Sequence, residues 1–560
     1  MHRGFAIKLF LPLSALALTL TAFPFTPVAA QHGMVASSEP QASEAGVEIL
    51  RAGGNAVDAA VAVGFALAVT YPAAGNIGGG GFMLIRLASG EAVVVDYREE
   101  APAAASPTMY LDARGELVPE SSTVGARAVG VPGTVAGLAL AEQKYGKLGL
   151  ARVLEPAIRL ARRGFPVSYS LSQSFSSGRQ LLSKFEESRR IFLRGDRFYA
   201  PGETFKQPDL ARTLQEIAQR GPDAFYRGRV AEAIVRAMRK YDGLITLADL
   251  AQYQAKIRQP LRGHFRGYEI LTVPPPSSGG VLLIEMLNVL EPVDLGPPNS
   301  YQSIHLIAET MRRAYADRAA YLGDADFVSV PVAGLTSPQY AARLRGEILQ
   351  AKAEAPVRPG SPQLFESSQT THYSVVDAEG NAVANTYTLN GGYGSGITVE
   401  GAGFLLNNEM DDFAAKPGAP NMSGLVQGEA NAIAPRKRPL SSMTPTIALR
   451  DGKVRLVLGS PGGGTIINTV LQVLLNVLVF QMDIRQAVSA PRFHDQWMPD
   501  RLMLERQGFS ADTLQKLREA GYPLDFVYGL GDCEAIEVDP QSGWRFGAAD
   551  PRSDGKAVGY

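Results

Sequence analysis

The chain of 560 residues contains one cysteine, Cys533, and six histidines, at positions 2, 32, 264, 305, 372 and 494. A lone thiol excludes an internal disulfide framework and any multi-thiolate metal site. The histidines never fall at a metal-ligand spacing such as HxxxH, so no metal or cofactor is expected. Charge of one sign is also lacking. With 54 Lys and Arg against 55 Asp and Glu, the net charge is −1, which removes the electrostatic case for a nucleic-acid partner. There is no internal repeat and no low-complexity tract. The apolar stretch 55–70 (NAVDAAVAVGFALAVT) is too short for a bilayer and carries Asp58, so it reads as a buried core helix. What is present is apolar content of 46%, ample for a packed core and contrary to disorder. The length suits a few average domains or one large α/β unit.

The N-terminus carries a sorting signal. Arg3 and Lys8 precede the apolar run 9–21, and Pro27-Val-Ala-Ala30 places small residues at the −3 and −1 positions of a cut after Ala30. Residues 1–30 are therefore expected to be a signal peptide outside the fold. The protein is expected to be exported, periplasmic or secreted, with no membrane attachment after cleavage. A membrane anchor is the competing reading, but the apolar run is short for a span.

Further along, 43–52 reads as an amphipathic helix closed by Gly53-Gly54. The glycine run 75–81 (GNIGGGG) leads into two strands, 82–87 and 91–97. Residues 130–350 are mostly helical in period, with a turn-rich insert at 274–280 (PPPSSGG). Composition then shifts at 353–368 (AEAPVRPGSPQLFESS), where prolines and polar residues predict an exposed linker. Strands follow, then a glycine-rich loop at 459–464 and an apolar helix over 466–480.

Directly after the linker, 370–377 (TTHYSVVD) and 381–390 (NAVANTYTLN) read as two strands joined by Ala378-Glu379-Gly380, a hairpin loop with glycine at its left-handed position. Pairing symmetric about residue 379 sets Thr370 opposite Thr388. The strand period of two adds Asn390 to that face. Thr–Thr pairs occur in ordinary sheets, so position decides. A hydroxyl on the first residue after a cut can use its own new α-amino group as base, with an unperturbed pKa of roughly 7.7–8.0. That solution needs no histidine. The expected nucleophile is Thr370, activated by cleavage before it.

The motifs 369–377 (QTTHYSVVD), 386–390 (TYTLN), 406–413 (LNNEMDDF), 438–443 (RPLSSM) and 459–463 (GSPGG) resemble those of γ-glutamyltranspeptidase. So do 33–37 (GMVAS) and 51–58 (RAGGNAVD) nearer the N-terminus. The resemblance covers essentially the whole mature chain. It implies an α/β N-terminal-nucleophile hydrolase, an αββα sandwich self-processed into a large subunit (31–369) and a small subunit (370–560). It also implies small-molecule substrates: glutathione and other γ-glutamyl compounds as donors, and water, amino acids or dipeptides as acceptors.

The glycine turn 459–464 lies between a strand and a helix, where backbone N–H groups face an anion. The Lys-Ser/Thr of a phosphate loop is missing. The resemblance implies an oxyanion hole at Gly462 and Gly463; an ordinary tight turn is the alternative from the residues alone. Arg98, at the end of the strand 91–97, would emerge at the sheet rim. A lone arginine there is usually a surface residue; the resemblance assigns it to the glutamyl α-carboxylate, with Ser441 and Ser442. Glu409 and Asp412 share one side of a helical turn. They could be acid–base groups, substrate-ammonium ligands or a solvated acidic turn, and the resemblance implies ammonium binding assisted by Asn390. Thr388 would orient the nucleophile. The sequence departs from the family in the lid segment 420–428, where Ser423 stands in place of the gating tyrosine of many bacterial relatives. Gly391-Gly392 also replace bulkier polar residues, which predicts a more open edge. Two rivals remain. A glutaryl-type β-lactam acylase would act on substrates without an α-amino group, against Glu409 and Asp412. An unprocessed, non-catalytic binding protein of the same fold would run as one intact band.

Overall fold

The structure is a computed structural model that describes residues 26–194, 197–350, 357 and 370–560. Most of the expected signal peptide and linker lies outside these residues.

The helix Ala56–Thr70 is buried at every position, which is why its sequence shows no polar stripe. Its one charge is accounted for locally. Asn55 caps the helix by accepting from the amides of Val57 and Asp58, and Asp58 accepts from the Asn55 amide at 2.7 Å. The same carboxylate accepts from the amides of Lys147 and Leu148. The preceding helix, Pro40–Arg51, packs beside it.

These helices cover one of two seven-stranded sheets. In order across that sheet run Lys556–Gly559, Met34–Ser37, Thr370–Val376, Ala382–Thr388, Gly80–Arg86, Ala92–Asp96 and Lys256–Arg258. The second sheet runs Val28–Ala30, Arg545–Ala548, Ala535–Val538, Lys453–Leu458, Thr446–Arg450, Tyr268–Thr272 and Leu261–Phe265. Its outer face is covered by the helices Gly279–Leu290, Tyr301–Tyr321 and Thr465–Leu478. Between the sheets lie Met34, Phe82, Leu84, Val376, Ala382, Ala384, Ile447, Val457 and Ile536, a dry layer that completes the αββα sandwich. A third small sheet joins Phe493–His494, Leu502–Glu505 and Leu524–Val527 outside the sandwich.

The expected hairpin forms in the expected register. Thr370 pairs with Thr388 and Val376 with Ala382, and Gly380 takes a φ of 90° in the loop. The segment 130–350 is mostly helical, as expected, and the short strands Lys256–Arg258, Leu261–Phe265 and Tyr268–Thr272 lie within it. Val28–Ala30 pairs with Arg545–Gly547 at the sheet edge, with Ala30 close against Gly559.

Candidate active site

Alternation along Thr370–Val376 sends Tyr373 and Val375 toward the helices and Val376 between the sheets. Thr370 and His372 therefore face the inter-sheet side, at the end where the turn from the opposing strand Lys453–Leu458 emerges. The His372 ring fills the space where Gly459 lacks a side chain. Its nitrogens pair with the hydroxyls of Thr386 (2.8 Å) and Ser374 (3.1 Å), and burial pushes its pKa down to about 3. This histidine, two residues from the threonine, is a neutral structural group.

The Thr370 hydroxyl donates to Thr388 Oγ1 at 3.2 Å, and the Asn390 amide donates to the same oxygen at 2.7 Å. The Asn390 side chain in turn donates to the Asn408 carbonyl at 3.2 Å. That chain of contacts leads to the short helical turn Glu409–Asp412. Thr370 and Thr388 are both buried.

Gly462 and Gly463 have φ values of 133° and 54° in the turn that starts the helix Thr465–Leu478. A side chain at 462 would strike Thr465 Oγ1, so glycine is required there. The turn is fixed by Thr465, whose amide and hydroxyl both donate to the Gly462 carbonyl. Among the described residues neither the Gly462 nor the Gly463 amide donates to a protein acceptor, and both glycines are partly exposed. Two N–H groups at a helix N-terminus are thus available to an oxyanion.

Arg98 lies past the strand Ala92–Asp96 and is fully buried, not at a solvated rim. Its guanidinium pairs with Glu409, meets Asp412 Oδ2 at 2.5 Å, and donates from Nε to the Pro439 carbonyl at 3.1 Å. Glu99 lies 3.5 Å away. The expected carboxylate fork and the expected ammonium acids therefore hold one another. Burial pushes Glu409 well above the usual carboxylate range against the pull of Arg98, and pushes Glu99 up to about 7. Ser441 and Ser442 are buried beside this cluster. The hydroxyl of Ser441 accepts from the Met443 amide, and that of Ser442 accepts from Arg318 at 3.2 Å.

Sequence reasoning missed the groups that hold these segments in place. Arg438 pairs with Asp96 at 2.5 Å and with Glu100 at 3.1 Å, tying the 438–443 segment to the end of the strand that leads to Arg98. Arg318, on the helix Tyr301–Tyr321, also donates to Ser278 at 3.0 Å, and burial lowers its pKa to about 10. Arg438 follows Arg436 and Lys437, and Arg318 follows Asp317, so neither stands out as a lone charge in the sequence.

The lid segment folds over the acids. Asn421 donates to Asp412 Oδ1 at 3.1 Å, and the Met422 amide donates to Asp411 Oδ2 at 2.8 Å. At the edge expected to be open, Met422 and Asn408 stand against Gly391, while Gly392 lines a cavity of about 410 Å³. A second tether holds the other side of the loop. Asn468 Nδ2 donates to His494 Nδ1 at 2.8 Å, so the Nε2 proton of His494 goes to Gln496 Oε1 at 2.9 Å. Gln496 then donates to the Gly424 carbonyl at 3.1 Å.

Burial holds His494 neutral, with its pKa lowered to about 4 from 6.5. A depressed histidine pKa gives stability that is full above the unfolded value and lost as pH falls through the folded one. Acidification from about pH 6.5 to 4 should therefore cost ~3 kcal/mol through this residue. His494→Gln, which cannot titrate, should flatten the fall of Tm over that window. An unchanged slope would mean that His494 is already solvated.

The model of the γ-glutamyltranspeptidase family matches residues 42–560. The chain belongs to that family. Its sequence is 49% identical over 542 residues to the glutathione hydrolase proenzyme of Escherichia coli K12, covering 96% of this chain and 93% of the relative. Among solved structures, the cephalosporin acylase of Bacillus halodurans superposes with a TM-score of 0.86 at 28% identity over 99% of both chains. The γ-glutamyltranspeptidase of Helicobacter pylori matches with a TM-score of 0.56 at 48% identity, over 59% of this chain and 96% of that one. In this γ-glutamyltranspeptidase family member, the threonine pair is linked through Asn390 and Asn408 to the acidic turn, and His372 of the nucleophile strand packs against Gly459 at the start of the glycine turn.

Proposed function

We propose that the chain cuts itself before Thr370 and then cleaves the γ-glutamyl amide of glutathione and related compounds, passing the acyl group to water or to an amine. The observation that carries this reading is the Thr370 hydroxyl, 3.2 Å from Thr388 on the first residue of a buried strand, with the nearby histidine neutral and bonded elsewhere. In self-cleavage Thr370 Oγ1 attacks the Gln369 carbonyl carbon, the peptide nitrogen leaves as the new α-amine, and water hydrolyses the ester. This yields subunits ending at 369 and starting at 370.

In turnover that amine takes the Thr370 hydroxyl proton as Oγ1 attacks the γ-carbonyl. Gly462 and Gly463 face the developing oxyanion, and the ammonium returns its proton to the departing amine. Thr388 and Asn390 hold the hydroxyl in line. A zwitterionic α-amino acid supplies both charges that the buried cluster now supplies to itself: its carboxylate would replace the acids on Arg98, with Ser441 and Ser442, and its ammonium would meet Glu409 and Asp412. A glutaryl side chain has no ammonium to offer those acids, which favours the γ-glutamyl reading over the acylase one. N-terminal sequencing of the smaller band on a denaturing gel tests the cut; release of p-nitroaniline from γ-glutamyl-p-nitroanilide tests the chemistry.

Export fits the basic and apolar N-terminal segment, and among the described residues no helix is long and apolar enough to cross a membrane. Ser423 bears on the balance between water and amine. Excluding water protects an acyl-enzyme until an acceptor arrives, and serine cannot cover a pocket mouth as a tyrosine ring can. Ser423→Tyr should raise the ratio of γ-glutamyl-dipeptide formed to glutamate released at fixed acceptor concentration. An unchanged ratio would mean that the tethers through Asn421 and Gln496 already exclude water.

A further inference from the structure

Among the described residues Arg318 is a buried cation with no carboxylate partner. It lies on the helix Tyr301–Tyr321, is 2% exposed, and its Nη1 has no hydrogen-bond partner. Arg98, Arg438 and Arg492 are buried as deeply, and each is paired with a carboxylate. Arg318 instead donates to two hydroxyls, from Nε to Ser278 at 3.0 Å and from Nη2 to Ser442 at 3.2 Å. Asp412 bears on it electrostatically but is paired with Arg98. A pKa of about 10 leaves it charged at neutral pH. Burying an unpaired charge is costly, so a site that keeps one calls for an anion.

The turn-rich segment 274–280 supplies the frame around it. The Ser278 hydroxyl and amide both donate to the Ser441 carbonyl, at 2.7 and 2.8 Å, and the Ser277 hydroxyl donates to the Met443 carbonyl at 2.7 Å. Arg318 thus holds the strip 441–443 twice, directly and through Ser278. The direction of these bonds matters, because a serine hydroxyl has one hydrogen to give. Ser442 Oγ accepts from Arg318, and Ser441 Oγ accepts from the Met443 amide at 3.1 Å. Among the described residues neither hydrogen has an acceptor. Two buried O–H groups are left to donate, and a guanidinium polarises one of them from behind.

We propose that Arg318 is a positioning residue for the donor's α-carboxylate. By holding the Ser442 oxygen it turns that hydroxyl's hydrogen toward the carboxylate and strengthens it as a donor. The inference rests on the γ-glutamyl reading, in which Ser441 and Ser442 meet that carboxylate beside Arg98. The two arginines then differ in kind: Arg98 exchanges protein acids for the substrate, whereas Arg318 has no acid to give up.

The test compares γ-glutamyl-p-nitroanilide with its α-carboxyl methyl ester. In the processed enzyme Arg318→Met should raise KM for the free acid roughly tenfold, as expected for one charge-assisted contact, with a much smaller change on the ester. Arg318→Lys should recover part of the loss. Ser442→Ala should discriminate in the same way, and the double variant should lose no more than the worse single one, because both changes remove the same contact. The Tm of Arg318→Met should hold or rise, since no carboxylate is left unpaired. Equal losses on acid and ester, losses that add in the double variant, or a Tm that falls with the activity would overturn the assignment. If Arg318→Met stays uncut, the same comparison made on Arg318→Lys decides it. A parent enzyme that cleaves neither compound would instead overturn the γ-glutamyl reading, and this inference with it.

Discussion

Thr370→Ala is expected to leave one uncut chain with no measurable γ-glutamyl hydrolysis or transfer. The variant lacks the oxygen that attacks in self-cleavage and in turnover, so both should vanish together. No nearby group can take over: His372 is locked to Thr386 and Ser374, and Thr388 is not a chain start and has no α-amine. The loss in kcat should be about 10⁴-fold or more, the scale seen when a catalytic nucleophile is removed. The fold should survive, since the hydroxyl makes one 3.2 Å contact. A Thr370→Ala chain that still splits before residue 370 would point to an outside protease and remove the main support for this nucleophile.

Arg98→Ala should weaken turnover and folding by separable routes. On a γ-glutamyl substrate with a free α-carboxylate, kcat/KM should fall by ~2–4 kcal/mol, the cost of truncating one side of a buried charge pair. On the α-carboxyl ester the loss should be much smaller. Arg98 is also the cation for Glu409, Asp412 and Glu99, so stability should drop by ~3–5 kcal/mol, somewhat less because Asp412 is partly exposed. That deficit has a pH sign. Without the guanidinium the buried carboxyls rise further, and a carboxyl whose folded pKa is raised gives stability at low pH that is lost as pH increases. The Tm gap between parent and variant should therefore widen from pH 5 to pH 8. Equal kinetic losses on acid and ester would show that Arg98 serves the fold alone.

The hairpin could be read from the sequence because its determinants are local: a short loop with a left-handed glycine fixes the symmetry, and the strand period then sets Thr370 across from Thr388. Arg98 could be picked out, but not its burial or its partners, because the residues that hold it lie 311 and 314 positions away. The strands over 256–272 escaped notice because Lys256-Ile-Arg258 and Leu261-Arg-Gly-His-Phe265 mix charges into short runs, and only pairing with a neighbour makes them strands. The strand Val28–Ala30 is hard to read for a related reason: it is three residues long, and its partner strand begins at Arg545. The lid tether through His494 and Gln496 depends on residues far apart in the chain, which periodicity does not register.

The order of strands in the first sheet has a consequence for the enzyme's life after the cut. Met34–Ser37 is flanked by Lys556–Gly559 and Thr370–Val376, and Gly80–Arg86 lies against Ala382–Thr388, so strands from either side of residue 370 are shuffled together. The C-terminus is clasped as well, its Tyr560 carbonyl accepting from the amides of Gln31 and His32. Severing the backbone therefore frees neither fragment, since pulling them apart would break the ladder on several seams at once. Dilution alone should not release them, and fragments made separately would have to thread their strands between one another to recover the sheet. On this topology maturation is expected to run in one direction, the chain folding whole before it is divided.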